Sequence, residues 1–331
     1  MKHLKKITRE ELASYTSKRA MELKYGEAVA IMEGDKNLKT YPQRYVLVGI
    51  PEDIGVRANH GRAGTSNAWE SCLKVLCNMQ QNERTYAHEL LILGSVDCNL
   101  EMEAAATIMD IVKLGELVNS IDVKVARVIE TIVSAGKIPI LIGGGHNNSF
   151  GNIKGVSKVL GKAINCLNLD THSDFRPLEH RHSGNGFSYA KANGFLKNYF
   201  VFGLHSNYTS QQMFERMEQE NVNFALFEDM FVNGKNSFSK AKHEAEQIIC
   251  DEPFGLEIDL DAIAMMGSSA MSPVGFTINQ IRNFTYNFSK NENCKYIHLC
   301  EGAPTFDLHP NQVGKVLAYL IIDVITTTDN V

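Results

Sequence analysis

Short, nearly continuous apolar runs punctuate this chain at Tyr45 to Ile50, Leu90 to Leu93, Ile138 to Ile142, Ile164 to Leu169, Tyr199 to Leu204, Val222 to Phe227, Phe254 to Leu260 and Tyr296 to Cys300. Runs of that length without a polar side predict strands covered on both faces. Between them the pattern changes period. Ile121, Val125, Val128, Ile129, Ile132 and Val133 recur at helical spacing and Gly136 stops that helix. Further helices are predicted near Ser210 to Glu220, Lys240 to Ile249, Ile278 to Phe288 and Pro310 to Thr326. Strand following helix in this way predicts an α/β fold: a mainly parallel sheet of about eight strands, helices on both faces, and sites at the carboxyl ends of strands. Residues 1–40 are charged and mixed, with a helix start at Thr8 followed by Glu10 and Glu11, and read as a peripheral helical cover. No repeat, low-complexity tract or linker interrupts the chain, so residues 1–331 are read as one domain.

Three of the predicted strands end in metal-ligand side chains. AINCLNLDTHSD places Asp170, His172 and Asp174 at alternate positions, which share one face of an extended chain. KIPILIGGGH ends on His146, and FGLEIDLD carries Asp259 and Asp261. Burying so many ionisable groups without a cation is costly, so together they predict a metal site. Carboxylates with imidazole and no thiolate suit a hard divalent ion, Mn2+ first, and argue against structural zinc. Four aspartates can serve two ions about 3.5–4 Å apart that share a hydroxide nucleophile, which is hydrolytic chemistry. The triple glycine before His146 is not followed by Gly-Lys-Ser/Thr, which removes a phosphate loop. Beyond Ile50, a loop holds Glu52, Asp53, Arg57, Asn59, His60 and Arg62 as potential binding groups. His180 and His182, flanked by Glu179 and Arg181, read as an exposed, solvated loop pair.

Composition narrows the partners. The chain is 44% hydrophobic and 21% charged with net charge -5, and apart from a small cluster at its start it has no Lys/Arg block, so nucleic acid is excluded. Seven cysteines without a Cys-x-x-Cys pair point to reduced thiols and the cytoplasm. MKHLKKITREELASY has no signal-peptide core, and Val316 to Ile325 is too short to span a membrane and contains Asp323. A small-molecule substrate is the expected partner.

GGGH at 143 to 146, DTHSD at 170 to 174 and EIDLD at 257 to 261, in this order, resemble the three signature segments of the ureohydrolase or arginase superfamily, and the likeness runs from about Val46 to the last helix. The resemblance implies a three-layer α/β/α arginase-like fold and two Mn2+ ions that hydrolyse C–N bonds of guanidino or formimino groups. Carried over, His146, Asp170, Asp174 and Asp259 would bind one ion and His172, Asp170, Asp259 and Asp261 the other, with Asp170 and Asp259 bridging. Asp174 would also pass the nucleophile's proton to the departing amine, and Glu301 in IHLCEGAP matches the carboxylate that pairs with the cationic nitrogen. Gly145 stands where arginases carry Asp, and Phe187 in HSGNGF where they carry His. These departures, the GVRANHGRAG loop at 55 to 64 and Arg176 after the central motif resemble formimidoylglutamases. That branch implies cleavage of N-formimino-L-glutamate to glutamate and formamide, a step of histidine degradation, by a metal-bridging hydroxide. Arg176, Arg57 or Arg62 would hold the substrate carboxylates as bidentate forks, with Asn59 and Ser183 beside them. The loop AIAMMGSSAMSPVGF lacks the Asp-Pro of many ureohydrolases, and Asn147, Asn148 and CEGAP are not the commonest forms, which keeps open a guanidino-substrate hydrolase or a catalytically silent paralogue that binds without turnover. Relatives are commonly trimers or hexamers, so a homo-oligomer is implied.

Overall fold

The computed structural model describes residues 2–34 and 36–326, so positions 1, 35 and 327–331 of the domain read from the sequence lie outside the described residues. Ten strands form one sheet: β1 (Leu4–Lys6), β2 (Ala30–Ile31), β3 (Tyr45–Gly49), β4 (Leu90–Val96), β5 (Ile138–Ile142), β6 (Ile164–Leu169), β7 (Leu196–Leu204), β8 (Asn223–Leu226), β9 (Phe254–Asp259) and β10 (Cys294–Cys300). Their order is β1-β4-β3-β5-β10-β9-β6-β7-β8, with β2 also on β4. From β4 to β8 every pairing is parallel.

That parallel run is the set of eight strands expected from the apolar runs. The two extra strands come from the N-terminal segment, which is therefore only partly helical. Thr8 caps the helix Arg9–Tyr15 by accepting from the Glu11 amide, but Leu4–Lys6 and Ala30–Ile31 both lie along the outer edge of β4. An uncovered edge of this kind exposes a row of unpaired amides and carbonyls, and two short strands suffice to close it. Gly94 makes the approach possible: it sits at φ +132°, and a Cβ there would stand 2.1 Å from the Lys5 carbonyl oxygen.

Side chains of the central strands alternate between two apolar layers. On β3, Tyr45 and Leu47 join one core and Val46 and Val48 the other; on β6, Leu167 and Leu169 oppose Ile164 and Cys166. The first layer is completed by helices Ala68–Leu76, Ile278–Ser289 and Gln312–Ile325, and the second by Ile111–Ser134 and Ser149–Leu160. Strands buried on both faces have no polar side to show, which is why they read as continuous apolar runs. Among the described residues no helix is long and apolar enough to cross a membrane.

The strand order decides where chemistry can occur. After β5 the chain skips two places to β6 and runs outward through β7 and β8, and β9 and β10 later fill the gap. All candidate ligands and Glu301 thereby lie at the carboxyl ends of four adjacent parallel strands, β5, β10, β9 and β6, in the middle of the sheet. The crevice beyond the carboxyl ends of strands, where the order reverses, is the usual binding place of such sheets.

Candidate metal centre

Asp259 ends β9, and the other five candidate ligands lie in turns just past their strands. After β5, Gly143 and Gly144 take left-handed backbone at φ +89° and +68° and swing His146 inward. Buried Glu52 braces this turn: its carboxylate accepts from the Gly145 amide at 3.0 Å, Asn148 Nδ2 at 2.7 Å, Asn147 Nδ2 at 3.2 Å and the Ile54 amide at 2.7 Å. Glu52, Asn147 and Asn148 thus act on the ligand loop from behind.

Strand alternation does not deliver the central motif as the sequence suggested. β6 stops at Leu169, and residues 170–174 form a loop in which Asp174 is left-handed at φ +42°. Glu301 after β10 is left-handed as well, at φ +60°. Non-glycine residues rarely hold this conformation, and where they do the surroundings must enforce it.

Around His146 Nδ1 stand carboxylate oxygens of Asp174 at 3.0 Å, Asp259 at 3.1 Å and Asp170 at 3.3 Å. Around His172 Nδ1 stand Asp261 at 3.2 Å and Asp170 at 3.5 Å. The ligands fall into two groups, His146/Asp170/Asp174/Asp259 and Asp170/His172/Asp261, each compact enough for one ion. Asp170 belongs to both through its two oxygens. Asp259 stands in the first group, and its other oxygen accepts the Asp261 amide at 2.8 Å, beside the second.

The donor set fits a cation. Both ring nitrogens of His146 are buried without a hydrogen-bond partner. Burial, with the charges of Asp261 and Asp170, drives the Asp259 carboxyl well above its usual range, and burial with Asp170 raises Asp174. Burial also opposes ionisation of Asp170, but His146 and His172 hold it below the ordinary carboxylate range. Acids crowded in this way must either take up protons or share a positive ion. Glu301 is pushed up to about 8, chiefly by burial; it accepts from the His146 amide at 2.7 Å and from the Ser269 hydroxyl.

Above the ligands opens a cavity of about 540 Å³, with His172, Asp174, Asp259, Asp261 and Glu301 at its base. Arg176, Ser183 and Asn59 also line it, and Asn59 Nδ2 donates to Ser183 Oγ at 3.1 Å. The two loop arginines do not. Arg57 is spent on the Ala105 and Ile108 carbonyls at 2.7 and 3.3 Å. Arg62 is spent on those of Ser268 and Ser269 at 3.0 and 3.2 Å, and its guanidinium lies over Phe306. Phe187 packs edge-on against His146 and stacks on Tyr199 with ring centres 4.3 Å apart, forming an apolar wall beside the first ligand group.

The segment expected to be a solvated loop is largely interior. Arg181 is fully buried, paired through two nitrogens with Asp122 of helix Ile111–Ser134 at 2.9 and 3.2 Å, and donates to the Asn147 carbonyl at 2.9 Å. His182 is buried too, and burial lowers it to about 4 although Glu179 lies 2.9 Å from its Nε2. His180 Nε2 meets the Ala58 carbonyl oxygen at 3.1 Å. Of the flanking residues only Glu179 is exposed.

Sequence reasoning also passed over Glu257 and His298. Glu257 faces the rear of His146, with its carboxylate 3.6 Å from Nε2, and is held by the Tyr296 hydroxyl at 2.8 Å and by His298 Nδ1 at 2.5 Å. His298 Nε2 in turn meets the Gly143 carbonyl oxygen at 3.2 Å. At that distance the two atoms are not hydrogen-bonded, but a buried negative charge behind the imidazole makes the ring a better partner for a cation on its far side, where Asp170, Asp174 and Asp259 gather. The signal for Glu257 was the alternate position before Asp259 on β9. Glu257→Gln is expected to weaken metal affinity about 10- to 100-fold in a chelator competition; unchanged affinity would show that nothing behind His146 matters.

A model of the arginase family matches residues 43–326. A formimidoylglutamase of Macrococcus caseolyticus is 27% identical over 187 residues, covering 56% of this chain and 59% of that protein. One of Chromobacterium violaceum is 27% identical over 270 residues, covering 79% of this chain and 81% of its own. The chain thus spans about six tenths of the Macrococcus relative. Among solved structures, a formimidoylglutamase from Bacillus subtilis superposes with TM-score 0.74 at 17% identity, over 95% of this chain and 94% of that one. A Trypanosoma cruzi formiminoglutamase crystallised with Mn2+ gives 0.73 at 16% identity, over 93% and 99%. The agmatine ureohydrolase of Thermoplasma volcanium gives 0.70 at 21% identity, over 97% of each chain. At these identities the likeness to solved structures is one of fold.

Proposed function

The chain belongs to the arginase family, and from that premise we propose that it hydrolyses the C–N bond of N-formimino-L-glutamate, taking up one water and releasing glutamate and formamide. The observation that carries this reading is the pair of ligand groups joined at Asp170, lying under a cavity that also holds Glu301 and arginine. His146, Asp170, Asp174 and Asp259 would hold one divalent ion and Asp170, His172 and Asp261 the other. When bound, two Mn2+ ions supply Lewis acidity and make water nucleophilic at neutral pH.

The protein's own groups supply the rest. Glu301, buried, fixed by the His146 amide and Ser269 and holding its proton up to about 8, is placed to receive the cationic formimino nitrogen, which takes the place of that proton. Asp174, at the base of the cavity, takes the proton that the attacking water loses and gives it to the amine as the C–N bond breaks. Phe187 and Tyr199 exclude water from the side of His146, and Phe187 can carry no proton, which leaves that duty to the carboxylates. Asn59 and Ser183 orient the substrate chain, with Arg176 at its acidic end. A cytoplasmic setting belongs to the same reading, since the seven cysteines are buried free thiols. An assembly of three or six copies is part of it too, and light scattering reads that directly.

Protein reloaded with Mn2+ and given N-formimino-L-glutamate, arginine, agmatine and 4-guanidinobutyrate separately is expected to release formamide from the first and no urea from the others. Urea from a guanidino compound would overturn the substrate assignment. No product from any of the four, with metal bound, would make the chain a silent binding protein.

A further inference from the structure

We propose that Arg216, a residue that no sequence motif singles out, receives a substrate carboxylate and sets a preference for acid-tailed amidines. The inference rests on the amidine-hydrolase reading and adds the part of the site that selects among amidines. Arg216 lies on the helix Gln211–Gln219, past the end of β7, and lines the cavity that has Asp174, Asp261 and Glu301 at its base. Its Nε is buried without a hydrogen-bond partner, and among the described residues no carboxylate pairs with its guanidinium. The guanidinium packs over the ring of buried Phe175 at 5.1 Å. Phe175 stands between Asp174 and Arg176, so the cation is anchored on the loop that carries the metal ligands. Stacking of this kind orients a guanidinium while leaving its N–H donors for a planar anion.

The other arginines nearby are committed elsewhere. Arg57 and Arg62 serve backbone carbonyls and Arg181 serves Asp122. Arg176 is 55% exposed and stands 3.5 Å from Glu179, a contact that solvent weakens. A partly buried guanidinium without an anion carries a desolvation penalty that an incoming carboxylate relieves. Acids at the base of the cavity and an unspent cation on its wall suit a ligand with an amidinium head and a carboxylate tail. An amine-tailed compound such as agmatine would bring like charge to Arg216. With Arg176 as the second fork, a dicarboxylate tail is matched at both ends.

The test compares Arg216→Met, which keeps the contact with Phe175, and Arg216→Lys with the parent, all loaded with Mn2+. Calorimetry measures L-glutamate binding, and kinetics separates KM from kcat. Arg216→Met is expected to raise Kd for glutamate and KM for N-formimino-L-glutamate by about 10- to 100-fold, with kcat little changed because uniform binding is what is lost. Arg216→Lys recovers part of the loss, and binding of the tail-less amidine formamidine is the same in all three. Glutamate binding in Arg216→Met as tight as in the parent overturns the proposal, as does a parent that binds no carboxylate. A parent that turns over 4-guanidinobutyrate in place of the formimino compound, with KM raised in Arg216→Met, sinks the substrate assignment and leaves the role of Arg216 standing.

Discussion

Replacing Asp170 by Asn lowers turnover by about a thousandfold, the upper scale for loss of one preorganised charged group, and weakens the hold on both ions. Asp170 is fully buried and is the member common to both ligand groups. Its two oxygens also accept from the His172 amide at 2.7 Å and from Asn168 Nδ2 at 3.0 Å. Asparagine keeps the side chain's volume, so the fold is preserved, but its amide nitrogen must face His146, His172 or another donor. Asp261→Asn should remove only the ion of the His172 group, because Asp261 belongs to no other. Metal content by mass spectrometry beside kcat separates the two variants. Two tightly bound ions and near-parental turnover in Asp170→Asn would refute the shared-ligand geometry.

The largest loss of stability is expected away from the reaction, at Asp122. Asp122→Ala leaves the guanidinium of Arg181 charged, buried and without its carboxylate, a defect that typically costs about 3–5 kcal/mol. Urea denaturation of parent and variant measures it. The double variant Asp122→Leu/Arg181→Met should be markedly more stable than Asp122→Ala, because removing both charges removes the uncompensated one. Metal affinity should fall with the pair, since Arg181 holds the Asn147 carbonyl one residue past His146. A change within about 0.5 kcal/mol, typical of a surface substitution, would mean that the pair contributes nothing.

These expectations show which features could be read from the chain. Ile138–Ile142 and Ile164–Leu169 are strands end to end as their apolar runs predict, because burial on both faces leaves no ambiguity of period. The six acidic and imidazole side chains that the fold gathers were legible since each lies at the end of such a run or just past it. Their partition was not: it depends on β9 and β10 filling the gap between β5 and β6, and on the left-handed turn at Asp174. β1 and β2 have three and two residues and form because the edge of β4 offers partners. Arg181 reads as solvated among its neighbours because its carboxylate lies on a helix far back in the chain. Arg216 resembles any polar residue of a surface helix until the fold sets that helix beside the cavity. Glu257 is concealed within an apolar strand, and only its partners give it meaning.

The most direct measurement is anomalous diffraction from crystals soaked in Mn2+. Two peaks about 3.5–4 Å apart are expected, one among His146, Asp170, Asp174 and Asp259 and the other against Asp170, His172 and Asp261. A single peak, or manganese bound elsewhere, would contradict a two-ion centre joined at Asp170.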